Sequence, residues 1–288
     1  MKEITVLSGK GGTGKTTITA ALASIATNAV FCDNDVDAAD LHLILNPEIR
    51  EEHLFWGARI ASVRQEQCNS CGLCLENCRF DAISYSEKNG YQINPFLCEG
   101  CRLCERICPV SAIKSEKSNN NYWYVSDTRF GSMIHAHMGP GEENSGKLVS
   151  LIRKKAQETA KTEQADYIIN DGPPGIGCPV IASLTGTNAV LLVIEPSKPG
   201  WNDASRLIEL VKKFDIPVFA VINKFDLNTS ISNHIESSLQ KKYIPLLAKI
   251  PFSEKMVESV IQKKTINEVA PESEISYLIC HIWEKIKN

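Results

Sequence analysis

The first apolar run of the chain, Ile4-Thr5-Val6-Leu7, is short and gives way at once to the Gly-rich stretch Ser8 to Thr17, SGKGGTGKTT. A brief buried run closed by glycines predicts a strand, and the Ala-rich segment from Thr16 to about Ala26 predicts a helix. A second apolar run, Val30-Phe31-Cys32, ends in acidic residues, so Met1 to about Asp40 reads as a βαβ opening. Buried-strand candidates recur at Tyr167-Ile168-Ile169, Ala189 to Ile194, Val218 to Ile222 and Leu246 to Ile250. Amphipathic helices lie between them: Leu148, Leu151 and Ile152 share one face, as do Leu207, Leu210, Val211 and Phe214. The alternation predicts an α/β fold, a mostly parallel sheet with helices on both faces. In such sheets ligands sit at the carboxyl ends of the strands, where the acidic and Gly-rich segments of this chain also fall.

From roughly Ser62 to Lys117 the pattern changes to Cys-rich with short strand-like pieces and no long helix, and residues 114–121, KSEKSNNN, read as a polar boundary. The expected organisation is a first part at 1–61, an inserted small α+β unit at 62–118 and a second part at 119–288. A hydrophobic content of 43% excludes a disordered chain, and 288 residues suffice for one large α/β domain with such an insert. The net charge of −3 gives no basic field for nucleic acid, and the Lys pairs at 154–155, 212–213, 241–242 and 263–264 read as solvated helix faces. No apolar run approaches the length of a membrane span and no apolar leader precedes the first strand, so a cytoplasmic protein without stable membrane insertion is expected. Ile275, Leu278, Ile279, Ile282 and Ile286 keep helical spacing and read as a helix closing the core rather than a membrane-surface tail.

In Gly9-Lys10-Gly11-Gly12-Thr13-Gly14-Lys15-Thr16 the glycines let backbone N–H groups curl around phosphate oxygens, and the following helix offers its N-terminus to the anion. Lys15 would neutralise β/γ-phosphate charge and the Thr16 hydroxyl would ligate Mg²⁺. Gly11, Gly12, Thr13, Gly14 and Thr17 complete the nucleotide cradle. Asp171-Gly172-Pro173-Pro174-Gly175 caps the strand candidate that starts at Tyr167, so Asp171 would hold a Mg²⁺-bound water. Asp33, Asn34, Asp35 and Asp37 cap the second strand, where a carboxylate can orient the attacking water; Asp35 is the preferred residue, followed by Asp33, and a solvated acidic turn is the alternative.

These residues carry a resemblance. KGGTGKT with its early Lys10, Asp33-x-Asp35 and DGPPG resemble the deviant Walker A ATPases of the MinD/ParA/nitrogenase-iron-protein class, over the chain apart from the Cys-rich unit. The resemblance implies an ATP-dependent dimer, a homodimer or a heterodimer with a paralogue, in which Lys10 reaches the partner's nucleotide. It also implies that Asn223, in Val221-Ile222-Asn223-Lys224-Phe225-Asp226, contacts adenine. The same segment is similar to the NKxD guanine signature, but the deviant form of the loop favours ATP.

Eleven cysteines in a reducing compartment point to metal rather than disulfides. Two runs repeat one spacing: Cys68-x2-Cys71-x2-Cys74-x3-Cys78 and Cys98-x2-Cys101-x2-Cys104-x3-Cys108-Pro109. Three thiolates of each run wrap one iron–sulfur cube while the fourth reaches the other. The prediction is two [4Fe–4S] clusters, one on Cys68, Cys71, Cys74 and Cys108, the other on Cys98, Cys101, Cys104 and Cys78. Zinc sites need only paired Cys-x2-Cys units and fit the repeat less well. The unit resembles a two-cluster bacterial ferredoxin, departing from it in Arg79 where proline is usual. Such clusters commonly have potentials of about −400 mV, which makes the unit an electron port, or a metal-stapled structural element on the plainer reading.

Cys32 and Cys280 read as small core residues. Cys178, seven residues after Asp171, matches by resemblance a cluster-binding cysteine of the nitrogenase iron protein. A third, exchangeable metal site of Cys178 with His135 or His137 is one reading; a buried thiol and two polar loop histidines is the preferred one. The function expected is an ATPase coupling nucleotide-driven dimer closure to electron delivery or metal-cofactor assembly. Its partner is an electron donor or acceptor or, by resemblance, a small carrier protein related to nitrogenase-cofactor carriers. The alternatives are an iron–sulfur cluster carrier or scaffold, and a MinD/ParA-type positioning ATPase.

Overall fold

The computed structural model describes residues 1–57, 59–117, 120–139 and 146–288. The chain opens with β1 (Lys2–Ser8), α1 (Lys15–Ala23), β2 (Ala29–Asp33), α2 (Leu41–Leu45) and β3 (Glu48–Phe55). The Cys-rich region supplies β4 (Arg59–Val63), α3 (Leu73–Glu76), β5 (Ile83–Ser86), β6 (Gly90–Ile93), α4 (Leu103–Ile107) and β7 (Ile113–Lys117). Two strands follow, β8 (Asn121–Thr128) and β9 (Gly131–His137). The alternation then runs through α5 (Lys147–Thr162), β10 (Tyr167–Pro174), α6 (Cys178–Leu184), β11 (Ala189–Ile194), α7 (Lys198–Lys212), β12 (Val218–Asn223), α8 (Thr229–Lys241) and β13 (Leu246–Ile250). Helices α9 (Glu254–Ile261), α10 (Ile266–Val269) and α11 (Glu274–Ile286) end it.

The described residues group into two compact units, one of 1–52, 123–136 and 144–288, the other of 53–122 and 137–143. In the first, a nine-stranded sheet has the order β13-β12-β11-β1-β10-β2-β9-β8-β3. The pairs from β13 through β9 are all parallel. The two-residue period of the strands sends alternate side chains to opposite faces. Leu191 and Val193 join Ile4, Val6, Phe31 and Ile169 in a core against α1 and α11, whereas Val190, Leu192 and Ile194 join Leu7 and Ile222 against α6, α7 and α8. Both faces are therefore covered, as the near-continuous apolar runs of the parallel strands require.

The last helix buries Ile275, Ile279, Ile282 and Ile286 against this core, in line with a closing helix. Cys280 is a correction. It is exposed, because it lies one residue past Ile279 and so about 100° around the helix from the buried stripe. Three further boundaries differ from the sequence reading: β10 runs on to Pro174 and takes in Asp171, α1 ends at Ala23, and Lys114 to Lys117 lie in β7 rather than in a linker. In β7, Ile113 and Ser115 are buried while Lys114 and Glu116 point out, an alternation that a count of polar residues hides. Ser118 and Asn119 of that expected boundary lie outside the described residues.

The smaller unit holds two antiparallel pairs, β4 with β7 and β5 with β6. Its core is Ala61, Cys74, Ile83 and Ile113, with Val63, Tyr91 and Ile93 packed on it alongside Cys78, Cys98, Cys104 and Cys108. No helix among the described residues is long and apolar enough to cross a membrane.

Candidate functional site

Segments at the carboxyl ends of the parallel strands surround one cavity of ≈ 510 Å³. Gly11 to Thr17 after β1 form its floor, Asp35, Ala38 and Asp40 after β2 one wall, and Asn223, Lys224 and Pro251 to Ser253 after β12 and β13 another. Gly12 and Gly14 hold φ of 77° and 89°, conformations that a side chain resists, and the space where a Cβ of Gly11 or Gly12 would project is open. The Thr13 hydroxyl is buried without a protein partner. An open glycine cradle and an orphaned hydroxyl are what a phosphate chain would fill, and the volume suits a nucleotide.

Lys15 is nearly buried, with Nζ 2.9 Å from Asp171 Oδ1 and 3.3 Å from Asp35 Oδ2. Burial works against its ammonium, but Asp171, Asp35 and Asp33 outweigh that and hold its pKa above the usual lysine value. The Thr16 hydroxyl donates to Asp171 Oδ2 at 2.6 Å and that of Thr19 to Oδ1 at 3.0 Å. Thr19 escaped sequence reading, although it lies four residues after Lys15 and so on the same helix face. The oxygens of Thr16, Asp171 and Asp35 are hard donors of the kind Mg²⁺ takes.

The two acidic candidates separate. Asp33 is fully buried, its Oδ1 accepting the Asp35 N–H at 3.1 Å and its Oδ2 the Leu41 N–H at 3.1 Å, so it shapes the turn after β2. Burial and then Asp171 push its carboxyl well above the usual range against the pull of Lys15. Asp35 faces the cavity, with its carboxyl raised to about 6 by burial despite Lys15.

Asn223 donates from Nδ2 to the Thr13 carbonyl at 2.7 Å, and Lys224 from Nζ to the Gly12 carbonyl at 3.3 Å, so the turn after β12 braces the phosphate loop. Asp226 accepts the Phe252 N–H at 2.7 Å. Phe252, Met256, Val257, Val260 and Ile261 give this end of the cavity an apolar wall able to take a planar base. Sequence reading missed that wall; α9 carries no polar motif to mark it. Lys10 is partly exposed and does not line the cavity; its Nζ is 3.2 Å from Glu195 Oε1. Glu195 was also missed, although it directly follows β11 at a strand's carboxyl end.

In the smaller unit, Cys68, Cys71, Cys74 and Cys108 line one small cavity with Val63, Tyr91 and Ile113. The Cys108 sulfur accepts the Ala112 N–H at 3.2 Å. Cys104 has its thiol pushed up to about 11 by burial and then by its neighbours Cys98, Cys101 and Cys78, against a backbone hydrogen bond at Glu105. The cysteines lining that cavity are thus three of the first run and the last of the second. Among the described residues no three His, Cys, Asp or Glu side chains converge on a position for a single metal ion.

That includes the surroundings of Cys178, whose thiol is exposed at the start of α6 rather than buried. His135 and His137 lie in β9 rather than in a loop. His135 is buried, its Nε2 2.9 Å from Ser126 Oγ and its ring stacked near Tyr124 and His42; burial, then His42, lower its pKa to about 4. Its ring is committed to the interior, whereas His137 is exposed.

Residues 4–266 match the CbiA family, the CobQ/CobB/MinD/ParA nucleotide binding domain. Protein MJ0578 of Methanocaldococcus jannaschii is 33% identical over 229 residues, 78% of this chain and 79% of that one. An iron-sulfur cluster carrier protein of Rickettsia bellii is 28% identical over 136 residues, 46% of this chain and 42% of its own. Among solved structures, the septum site-determining protein MinD of Pyrococcus horikoshii, complexed with Mg-ADP, superposes with a TM-score of 0.59 at 18% identity, covering 99% of this chain and 95% of that one, a likeness of fold.

Proposed function

The chain belongs to the CobQ/CobB/MinD/ParA nucleotide-binding family, and we propose that it is a Mg²⁺-dependent ATPase carrying two [4Fe–4S] clusters, in which ATP-driven dimer closure is coupled to electron transfer or metal-cofactor assembly. The observation that carries the ATPase reading is the knot of Lys15, Thr16, Asp35 and Asp171 at the mouth of an open glycine cradle. With ATP in the cavity, backbone N–H groups of the loop bind the phosphates and Lys15 turns from its carboxylates toward the β/γ oxygens. Thr16 would ligate Mg²⁺ and Asp171 would hold a water on it, and the ion when bound would neutralise charge on the phosphate chain. Asp35, ionised above a pH of about 6, orients the attacking water and accepts its proton, while Asp33 keeps the Asp35 backbone in place. Lys10 stays outside its own cavity and is available to a second subunit, which makes hydrolysis conditional on assembly.

The cluster reading rests on the two mixed sets of cysteines. Four sulfurs around one cavity, spaced as the two repeated runs predict, suit a cube that takes one thiolate per iron. The hydrogen bond to the Cys108 sulfur is of the kind that tunes such clusters, which serve as one-electron carriers when bound. The partial likeness to an iron-sulfur cluster carrier favours a second reading, clusters as cargo.

The deciding experiment is EPR and redox titration of anaerobically purified protein, without nucleotide and with a non-hydrolysable ATP analogue. A shift in the potential or spectrum of at least one cluster is expected. Unchanged clusters, with labelled iron passing to an apo-acceptor, would replace this reading with the carrier.

A further inference from the structure

Arg129, in the turn between β8 and β9, makes five hydrogen bonds to three separate segments. Nε and Nη2 grip the two oxygens of Glu268 at 2.8 Å each. Nη1 donates to the Leu45 carbonyl at 2.8 Å, and Nη2 also reaches the carbonyls of Ile44 at 3.1 Å and Lys263 at 3.3 Å. The guanidinium carbon lies 4.5 Å from the centre of the Phe130 ring. Ile44 and Leu45 end α2, where helix carbonyls lack partners of their own and a cation is favoured.

These anchors lie in segments that continue in sequence from two parts of the cavity lining. The first N–H of α2, at Leu41, holds Asp33, which in turn holds the Asp35 backbone, and Asp35, Ala38 and Asp40 line the acidic wall. Lys263 follows α9, whose Met256, Val257, Val260 and Ile261 line the apolar wall. Glu268 also accepts from Thr265, at 2.7 Å from its N–H, which fixes the chain just after Lys263. Arg129 lines neither wall.

We propose that Arg129 is a positioning residue, a clamp that sets the spacing between the acidic and apolar walls and thereby governs nucleotide affinity and the placement of Asp35. The clamp rests on the reading of the cavity as the ATP site. Its five contacts are made from the three nitrogens of a planar fork, Nη2 sharing its two hydrogens among three oxygens, which the single ammonium of lysine cannot reproduce.

The test uses the full chain, purified anaerobically, as wild type, Arg129→Lys, Arg129→Ala and Glu268→Gln. Arg129→Lys keeps the charge and the stem, Glu268→Gln keeps the size, and the melting temperature without nucleotide reports whether each variant is folded. The readouts are the melting temperature without nucleotide, the Kd of a fluorescent ATP analogue, and KM and kcat for ATP hydrolysis. Arg129→Lys is expected to raise Kd and KM by about tenfold, equivalent to about 1.4 kcal/mol, with kcat falling less, and Glu268→Gln to move both in the same direction. Millimolar guanidinium should restore binding to Arg129→Ala. Variants that melt earlier yet keep the wild-type Kd and KM where they are folded would overturn the clamp, leaving Arg129 a fold staple. Wild-type protein that binds no ATP would instead overturn the reading of the cavity, and the clamp with it.

Discussion

Replacing Lys15 with methionine, which keeps the length and removes the charge, tests the energetics of the site directly. Lys15 is the cation among three carboxylates: Asp171 is fully buried, Asp33 fully buried and Asp35 nearly so. Removing one partner of a buried, hydrogen-bonded pair costs about 3–5 kcal/mol, because the remaining charge is left in a poor solvent. For a chain of this size that lowers the melting temperature by about 6–20 °C. The pH dependence identifies the cause. Asp35 is already raised from 3.8 to about 6 when Lys15 is present, so its contribution to stability is full below pH 3.8 and lost as pH rises through about 6. Without Lys15 the carboxyls of Asp33 and Asp35 rise further and take up protons sooner on acidification. The deficit of Lys15→Met against wild type should therefore be largest at pH 7.5 and shrink at pH 5.5, measured by thermal unfolding without nucleotide. An equal deficit at both pH values, or one below about 1 kcal/mol, would refute the assignment of Lys15 as counter-ion of a buried acidic set.

Three further outcomes are expected. Asp35→Asn should slow ATP hydrolysis by about 10²-fold or more, and the wild-type rise of kcat/KM as pH passes about 6 should be absent from the residual activity; a retained rise would place the base elsewhere. Cys108→Ser should lose the cluster of the first run and keep that of the second, so iron and sulfide per chain fall by about half and one EPR signal disappears; loss of the second-run signal instead would reverse the pairing. Glu195→Gln, which releases a partly exposed ion pair, should change stability by less than about 1 kcal/mol while increasing ATP-dependent self-association in sedimentation, and unchanged association would count against Glu195 as a tether on Lys10.

The parallel half of the sheet was legible because its strands are buried on both faces and stand out as apolar runs between helices of period 3.6. Strand β3 was not, since Glu48 to Phe55 is exposed or half-buried throughout and two of its half-buried positions, Glu51 and His53, are polar. Strand β8 begins inside the polar run that reads as a boundary, where Asn121 is buried and its Oδ1 accepts the Gly139 N–H at 3.0 Å. In the site, Lys15, Thr16, Asp35 and Asp171 were readable from motifs whose chemistry is carried by the residues themselves. Sequence reading placed Asp35 only narrowly ahead of Asp33, because what separates them is the direction of two backbone N–H groups. Arg129 and Glu195 lie in no motif, and their roles depend on segments that only the fold brings together.

The two lysines of the phosphate loop differ in how firmly they are held, and that difference bears on which can change partners. Lys15 has two carboxylates within 3.3 Å and is itself nearly buried, so it can leave them only for a group that offers comparable negative charge at the same place. Phosphate oxygens in the adjacent cradle meet that condition. Lys10 has one carboxylate at 3.2 Å, with its own side chain 31% exposed and that of Glu195 23% exposed. A pair so open to water is worth about 0–1 kcal/mol, so its release costs little and an acceptor brought by another subunit need not bind it tightly to win. In the proposed ATPase the loop therefore carries one lysine for the local nucleotide and one that a neighbouring subunit could recruit at little cost, and the second property follows from exposure at Lys10 and Glu195 rather than from the motif alone.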